Sequence, residues 1–157
     1  ARLHPNDTFR VTRALEVFES TGTVKSDFLK DHNFEDQRYD CMKIGLCMDR
    51  SLLYERINRR VDQMIAAGLT DEVKSLLEMG FSADLKSMQS IGYRHIIEYF
   101  EGKTDFDEAV RTLKRDTRRF AKRQFTWFSK ERNLIWIEPD EEERAYESIN
   151  RFLRGKF

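Results

Sequence analysis

Apolar residues along the chain recur mostly at the spacing of an α-helix, and glycines and capping residues mark the ends of the periodic segments. In the first segment, Val11, Leu15 and Phe18 follow the candidate N-cap Asp7 on one helical face. We find no internal repeat and no low-complexity linker, so the pattern predicts one unit over residues 1–157. The predicted helices span residues 7–22, 51–68, 70–80, 88–100, 105–130 and 141–153, and the predicted strands span 43–48 and 134–137.

The second predicted strand, Leu134–Ile137, is apolar without interruption. This is typical of a strand that is buried on both faces of a parallel sheet. Two short strands far apart in the chain are too few to form a stable buried sheet by themselves. Either they are edge strands of a larger α/β sheet, or the strand prediction is wrong. We favour the first and expect a mainly α protein with about two short strands in a parallel sheet.

The long predicted helix 105–130 has two different faces at about 100° per residue. Thr117 and Gln124 place polar groups on an otherwise apolar stripe, which indicates a binding role because unpaired hydrogen-bonding groups are costly on an inner face. The opposite side gathers the cations that a polyanion needs. The stripe comprises Phe106, Val110, Leu113, Thr117, Phe120, Ala121, Gln124 and Phe128, and the basic side comprises Arg111, Lys114, Arg115, Arg118, Arg119 and Lys122.

Charge is balanced over the whole chain, with 28 basic and 28 acidic residues. Nucleic-acid binding would therefore have to come from local clusters rather than from overall charge. Residues 111–123 form such a cluster in the sequence, since Asp116 is the single acid among seven lysines and arginines.

Several other classes of site and location are disfavoured. Two cysteines, Cys41 and Cys47, are too few for a disulfide framework and favour a reducing, cytoplasmic compartment. No apolar stretch reaches transmembrane length and the N-terminus lacks a signal-peptide pattern, so we expect no membrane contact. The histidines have no ligand spacing, so we expect no metal site among these residues. Gly102-Lys103-Thr104 resembles the end of a phosphate loop, but it follows a helix rather than a strand.

Arg60 falls on the same stripe of the predicted helix 51–68 as Leu53, Ile57 and Met64. Such an arginine is either a snorkelling or ion-paired side chain, or an inward-facing guanidinium whose planar set of N–H donors binds a phosphate. The sequence leaves both interpretations open.

Two further clusters carry groups that bind nucleic acids. Arg10 and Arg13 lie one turn apart near the start of the first helix, either as a solvated face or as a phosphate contact assisted by the helix N-terminus. In residues 89–94, a glycine stands among a glutamine, a serine, an aromatic residue and an arginine. This cluster fits either a tight helix crossing or a backbone that closely approaches a base or strand.

Together these segments resemble the tRNA dimethylallyltransferases, also called tRNA isopentenyltransferases. The matching stretches occur in the family's order and spacing over nearly the whole chain, and jointly they are highly specific. They are His4-Pro5-Asn6-Asp7 with Arg10, Arg13-Ala14-Leu15-Glu16-Val17, Thr21-Gly22, Leu53 to Met64 leading into Gly68, Ile91-Gly92-Tyr93-Arg94, Ala121-Lys122-Arg123-Gln124 and Thr126-Trp127-Phe128.

The resemblance implies an enzyme that transfers a dimethylallyl group from dimethylallyl diphosphate to N6 of adenosine 37 of tRNA. It implies a fold like that of P-loop kinases, with an inserted helical region that grips the anticodon arm. Arg60 would be the catalytic arginine that contacts the diphosphate. The implied tRNA-binding residues are Phe9, Arg10, Val11, Thr12, Arg13, Gln89, Ser90, Ile91, Gly92, Tyr93, Arg94, Thr117, Arg118, Arg119, Phe120, Ala121, Lys122, Arg123 and Gln124.

The family's Gly-rich phosphate loop, its Mg²⁺-binding hydroxyl and its proposed general-base aspartate belong to its N-terminal part and do not occur in this sequence. The resemblance therefore implies the C-terminal portion of a P-loop-type α/β enzyme, with the Mg²⁺ site outside these residues and no activity of these residues alone. We expect a cytoplasmic monomer whose partners are the tRNA anticodon arm and dimethylallyl diphosphate. Two alternatives are an adenylate isopentenyltransferase, which the long basic helix disfavours, and a non-enzymatic helical RNA-binding module.

Overall fold

The computed structural model describes residues 4, 6–24, 26–27, 39–131 and 133–155. Contacts between residues group the chain into two compact units, residues 1–41 and 42–157, at a place where the sequence pattern marks no boundary. The described helices are α1 (Thr8–Thr21), α2 (Arg50–Ala66), α3 (Leu69–Glu78), α4 (Tyr93–Phe100), α5 (Phe106–Phe128) and α6 (Glu142–Leu153), and the described strands are β1 (Lys43–Leu46) and β2 (Leu134–Ile137).

Helix α1 lies in the first unit, and its two ends follow the local sequence. The Asp7 carboxylate accepts a hydrogen bond from the backbone N–H of Arg10, and Gly22 ends the helix in the left-handed conformation. The predicted inward face is not observed, because no α1 residue is buried within the described part of the chain. Leu15 and Phe18 are exposed there.

Strands β1 and β2 pair in parallel, with Leu46 opposite Ile137. The prediction of a mainly helical chain with two short strands in a parallel sheet is thus confirmed. Gly45 permits a close approach of the strands' side chains, since a Cβ at this position would lie 3.0 Å from Cε3 of Trp136. Ile137 is buried, whereas the other β2 residues are half-buried among the described residues.

Helices α2 to α5 share a hydrophobic core in the second unit. Asp49 caps α2 by accepting hydrogen bonds from the backbone N–H groups of Ser51 and Leu52, so the helix begins one residue before the predicted start at residue 51. Asp105 caps α5 in the same way through the N–H of Glu108. The buried residues of this core are Val61, Leu69, Val73, Met88, Ile96, Ile97 and Leu113.

The predicted helix 88–100 is too long at its N-terminus. Residues 83–92 form turns and bends, and α4 begins only at Tyr93. Gly92 has φ 109° and ψ −75°, a conformation that a right-handed helix excludes. Met88 is nevertheless buried in the core. An apolar residue outside the helix thus contributes to the core, although the backbone around it is not helical.

Candidate ligand cavity and nucleic-acid interface

A cavity of about 840 Å³ lies between helix α2, helix α5 and the two-stranded sheet. Helix α2 supplies its basic residues, and helix α5 and the strands supply most of its apolar residues. The cavity is lined by Ile44, Gly45, Leu46, Cys47, Met48, Leu53, Arg56, Ile57, Arg59, Arg60, Gln63, Ala121, Gln124, Phe125, Phe128, Leu134, Trp136 and Pro139.

The basic part of the cavity wall consists of Arg56, Arg59 and Arg60. None of these three arginines forms an ion pair with a residue that the structure describes. Arg60 is exposed toward the cavity beside Leu53 and Ile57, and is not buried in the core. The ion-paired interpretation of Arg60 is therefore not observed among the described residues, and its donors are available to an anion in the cavity.

Aromatic rings form the apolar part of the same wall. Phe125 stacks on Trp136 with ring centroids 5.8 Å apart and 18° between the ring planes. The absence of a side chain at Gly45 leaves room for the Trp136 ring against β1. The cavity therefore combines an apolar surface with several guanidinium groups, which suits a ligand with one apolar and one anionic end.

The two polar residues on the apolar stripe of α5 have different environments. The Thr117 hydroxyl donates to the backbone carbonyl of Leu113 at 2.8 Å, so it is not the unsatisfied group that the sequence suggested. Gln124 is exposed and lines the cavity. Its carboxamide forms no hydrogen bond with the described residues, which leaves it available to a ligand.

Part of the basic side of α5 contacts α2 and does not face outward as predicted. Lys114 forms an ion pair with Asp62 at 2.5 Å, and Arg118 donates to the side-chain oxygen of Asn58 at 2.5 Å. The prediction was wrong for these two cations because polar side chains of α2 widen the contact between the helices beyond the apolar stripe.

The exposed part of the basic side continues toward the C-terminus of α5. A second concavity of about 470 Å³ is lined there by four cations and by Trp127, which is 64% exposed. Cationic grooves with exposed aromatic rings bind single-stranded nucleic acids through phosphate contacts and base stacking. The lining residues are Arg119, Lys122, Arg123, Thr126, Trp127 and Lys130.

Asp116 lies at the centre of a cluster of basic residues from α4 and α5. Its Oδ1 accepts from Arg115 Nε at 2.9 Å and lies 3.6 Å from Arg119 Nη1. Its Oδ2 accepts from Arg94 Nη2 at 2.7 Å and lies 3.3 Å from His95 Nε2. The hydrogen bonds from Arg115 and His95 lower the pKa of Asp116 from 3.8 to about 2.

His95 is buried, with 2% of its side chain exposed. The backbone N–H of Gly92 donates to Nδ1, so Nε2 carries the hydrogen and donates to Asp116. Burial lowers the pKa of His95 below 6.5, against the opposing effect of the Asp116 hydrogen bond. Neither His95 nor Asp116 was predicted from the sequence to belong to a site. The available signal was the single acid within the basic run.

The cluster 89–94 is already engaged in part by the protein itself. The Gln89 side chain donates to the Ala83 carbonyl at 2.7 Å, and the Tyr93 hydroxyl is hydrogen-bonded to the Glu72 carboxylate. A Cβ at Gly92 would meet nothing within 4 Å. The tight-crossing interpretation is therefore wrong, and the glycine is required by its positive φ.

The cations of helix α1 form ion pairs on their own helix. Arg10 lies 3.3 Å from Asp7, and Arg13 lies 2.9 Å from Glu16. The side chains of Arg10 and Arg13 are 69% and 62% exposed, which leaves most of their guanidinium donors free of these pairings. Phe9 is also exposed.

Comparison with known proteins identifies the family. The IPP transferase family model matches residues 1–131. The chain belongs to this family. It is 48% identical over 156 residues to tRNA dimethylallyltransferase 2 of Syntrophus aciditrophicus, covering 99% of this chain and 50% of that protein. It is 53% identical over 137 residues to tRNA dimethylallyltransferase 2 of Geotalea uraniireducens, covering 87% of this chain and 44% of that protein.

Two solved structures have the same fold as this IPP transferase chain. The full-length tRNA isopentenylpyrophosphate transferase of Bacillus halodurans matches with a TM-score of 0.68 and 42% identity, covering 98% of this chain and 46% of that one. The tRNA delta(2)-isopentenylpyrophosphate transferase of Staphylococcus epidermidis matches with a TM-score of 0.69 and 37% identity, covering 96% and 51%. The chain thus spans about half the length of the relatives it matches.

The described part of this IPP transferase chain offers little to a metal ion. It contains no group of three or more His, Cys, Asp or Glu side chains that could hold one. The cavity lining, as far as the structure describes it, includes no carboxylate or hydroxyl of the kind that Mg²⁺ prefers. These residues therefore do not fit a Mg²⁺ site. In addition, no helix among the described residues is long and apolar enough to cross a membrane.

Proposed function

We propose that this chain forms part of a tRNA dimethylallyltransferase, which transfers a dimethylallyl group from dimethylallyl diphosphate to N6 of adenosine 37 of tRNA. The names of its relatives support this activity. The observation that carries the proposal is the cavity, in which arginines stand beside stacked aromatic rings. Such a cavity matches an allylic diphosphate, with its apolar and its anionic end.

The reaction requires N6 of the adenine to attack the allylic carbon while the carbon–oxygen bond to the diphosphate breaks. The bonding electrons leave with the diphosphate, so negative charge develops on it in the transition state. N6 gives up one proton to a general base, which the family resemblance places outside these residues. We assign Arg60 to that charge, because Arg60 lines the cavity and a guanidinium stabilises negative charge that develops on a departing phosphate group. The Gln124 carboxamide would hold the adenine base, which must leave its stack to reach the cavity.

We propose that tRNA contacts the chain through the exposed members of residues 9–13, 89–94 and 117–124. The cations that contact α2, such as Arg118, contribute mainly to packing. The exposed Arg119, Lys122 and Arg123 contribute phosphate binding. This extended cationic surface favours an RNA substrate in the cytoplasm over a free adenine nucleotide.

The assay that tests the proposal measures transfer of a labelled dimethylallyl group by the complete gene product. The acceptors are a tRNA with adenosine at position 37, the same tRNA with guanosine there, and AMP. We expect label in the first alone. Transfer to AMP would favour an adenylate isopentenyltransferase, and tRNA binding without transfer would favour an RNA-binding module.

Arg60→Ala tests the role of the cavity within that assay. We expect kcat to fall by about 10²–10³, as for removal of one charge-stabilising donor, with little change in tRNA affinity. Arg50→Ala is the control, since Arg50 lies on the same helix but does not line the cavity. Near-normal turnover of Arg60→Ala would show that Arg60 has a structural role only.

A further inference from the structure

The three arginines around Asp116 carry more positive charge than the carboxylate neutralises. Arg94, Arg115 and Arg119 provide three positive charges against the one negative charge of Asp116, so these four residues together carry a net charge of +2. Among the described residues, no second acid pairs with any of the three arginines. The cluster therefore attracts anions even though Asp116 lies at its centre.

Most of the hydrogen-bond donors of the cluster remain available. A guanidinium has five N–H donors in a planar fork, and Asp116 accepts one each from Arg94 and Arg115. These two side chains are 37% and 38% exposed, and Arg119 is 63% exposed. Arg94 and Arg115 can therefore present free donors to a ligand in solvent while one donor of each stays bonded to Asp116, and Arg119 lies within ion-pair distance of the same carboxylate.

Asp116 itself is held in a defined orientation from the protein interior. Only 16% of its side chain is exposed, and it is bonded to the buried His95, which is in turn bonded to the backbone of Gly92. A carboxylate fixed in this way restricts the long arginine side chains that donate to it. Restricting them before binding reduces the entropy lost when a ligand orders them.

We propose that Asp116 is a positioning residue that orients Arg94, Arg115 and Arg119 to bind a phosphodiester group of the RNA backbone. Guanidinium forks match the geometry of phosphate oxygens. An extended RNA strand is the ligand that fits, because Arg119 also lines the adjacent concavity with Lys122 and Trp127. The identity of this RNA as tRNA rests on the proposed function.

The substitution Asp116→Asn separates positioning from simple charge. It removes a negative charge from the RNA-binding side, so electrostatics alone predicts tighter tRNA binding and a steeper salt dependence. If Asp116 positions the arginines, the same substitution weakens binding by about tenfold, as for loss of a hydrogen bond to a charged group. The two interpretations therefore predict opposite signs.

The experiment titrates fluorescent tRNA with the complete gene product at several salt concentrations. The control is Asp107→Asn, which removes an exposed acid from the first turn of the same helix, away from the cluster. We expect Asp107→Asn to bind at least as tightly as the unmodified protein. Binding by Asp116→Asn that is equally tight or tighter would overturn the proposal.

A second pair of variants decides the question should Asp116→Asn fail to fold. Arg115→Lys keeps the charge but loses the Nε–H donated to Asp116. Arg111→Lys is the matched control, because Arg111 lies one turn earlier and pairs with Glu108 instead. We expect tRNA affinity to fall several-fold for Arg115→Lys alone. Equal affinities of the two folded variants would overturn the proposal.

The outcome is separable from that of the proposed function. Dimethylallyl transfer to tRNA is measured in a different assay and depends on the cavity. Weaker tRNA binding by Asp116→Asn and Arg115→Lys in a protein that transfers no dimethylallyl group would support the arginine cluster and reject the enzyme assignment. Normal dimethylallyl transfer with unchanged tRNA binding in both variants would support the enzyme assignment and reject the role of the arginine cluster.

Discussion

At the scale of single residues, Thr117 and Gln124 show how the same pattern leads to different environments. Both lie on the apolar stripe of α5. The short Thr117 side chain donates a hydrogen bond to the backbone carbonyl of Leu113, one turn earlier in the same helix. The longer Gln124 side chain lies at the cavity. Side-chain length and position along the helix thus decide which polar residue can meet a ligand.

His95 gives the protein a pH-dependent stability that can be predicted in sign. Because burial lowers its pKa below 6.5 in the folded state, the unfolded chain takes up a proton at higher pH than the folded chain. The contribution is fully present above about pH 6.5 and decreases as pH falls toward the folded pKa. Asp116 stays ionised there, since its contribution is lost only as pH falls from 3.8 to about 2.

The variant His95→Gln checks this prediction. Glutamine can still donate to Asp116, but it takes up no proton. We expect the decrease in unfolding free energy between about pH 7 and 5 to become smaller, as measured by urea denaturation of the complete gene product. Identical pH profiles for the His95→Gln variant and the unmodified protein would contradict the prediction.

At the scale of elements, a single glycine determines where α4 begins. Gly92 precedes Tyr93 with φ 109°, outside the region that residues with a Cβ adopt at low cost. Its amide also donates to His95, so the same residue starts the helix and fixes the histidine beneath Asp116. The beginning of α4 and the geometry of the arginine cluster are therefore linked through one backbone position.

Gly92→Ala should consequently destabilise the protein through backbone strain at a positive φ rather than through a steric clash of the new Cβ. We expect a loss of about 1–3 kcal/mol in unfolding free energy, measured by chemical denaturation. Gly102→Ala is the matched control, since its φ of 69° lies near the common left-handed region and its Cβ would also meet nothing within 4 Å. We expect a smaller loss of about 1 kcal/mol there. A larger loss for Gly102→Ala would argue against the strain at Gly92.

At the scale of the whole molecule, net charge is zero, yet positive charge is concentrated on specific surfaces. Cations occur in the cavity wall, in the arginine cluster and along the exposed end of α5. The same helix also uses cations for packing against α2. The number of lysines and arginines along α5 therefore overstates the number of cations that are exposed and available to a polyanion.

A comparison of two double variants tests this division between exposed and packed cations. Lys122→Ala with Arg123→Ala removes exposed cations, whereas Lys114→Ala with Arg118→Ala removes the cations that contact α2. For the double variant that lacks the exposed cations, the slope of log K for tRNA binding against log salt concentration should become shallower by about 0.7–0.9 for each phosphate that the protein no longer neutralises. For the double variant that lacks the packed cations, this slope should not change. The packed pair should chiefly lower the melting temperature. Equal slopes for the two variants would contradict the division.

The elements that depend on local chemistry could be predicted from the sequence. Periodic apolar residues and capping residues predicted most helices and the two strands, and the order and spacing of short motifs such as Ile91-Gly92-Tyr93-Arg94 indicated the family. The basic run of α5 and the unusual position of Arg60 were also visible, because one helix of known periodicity suffices to assign a residue to a face. These features require no knowledge of distant contacts.

The environment of each chemical group, in contrast, depends on contacts between distant parts of the chain. Which cations of α5 face solvent depends on Asn58 and Asp62 of another helix, and the Asp116 cluster depends on the start of α4 meeting the middle of α5. These partners are distant in sequence, so no local period encodes them. The energy of a charged group is set by the dielectric and by the partners that folding places around it.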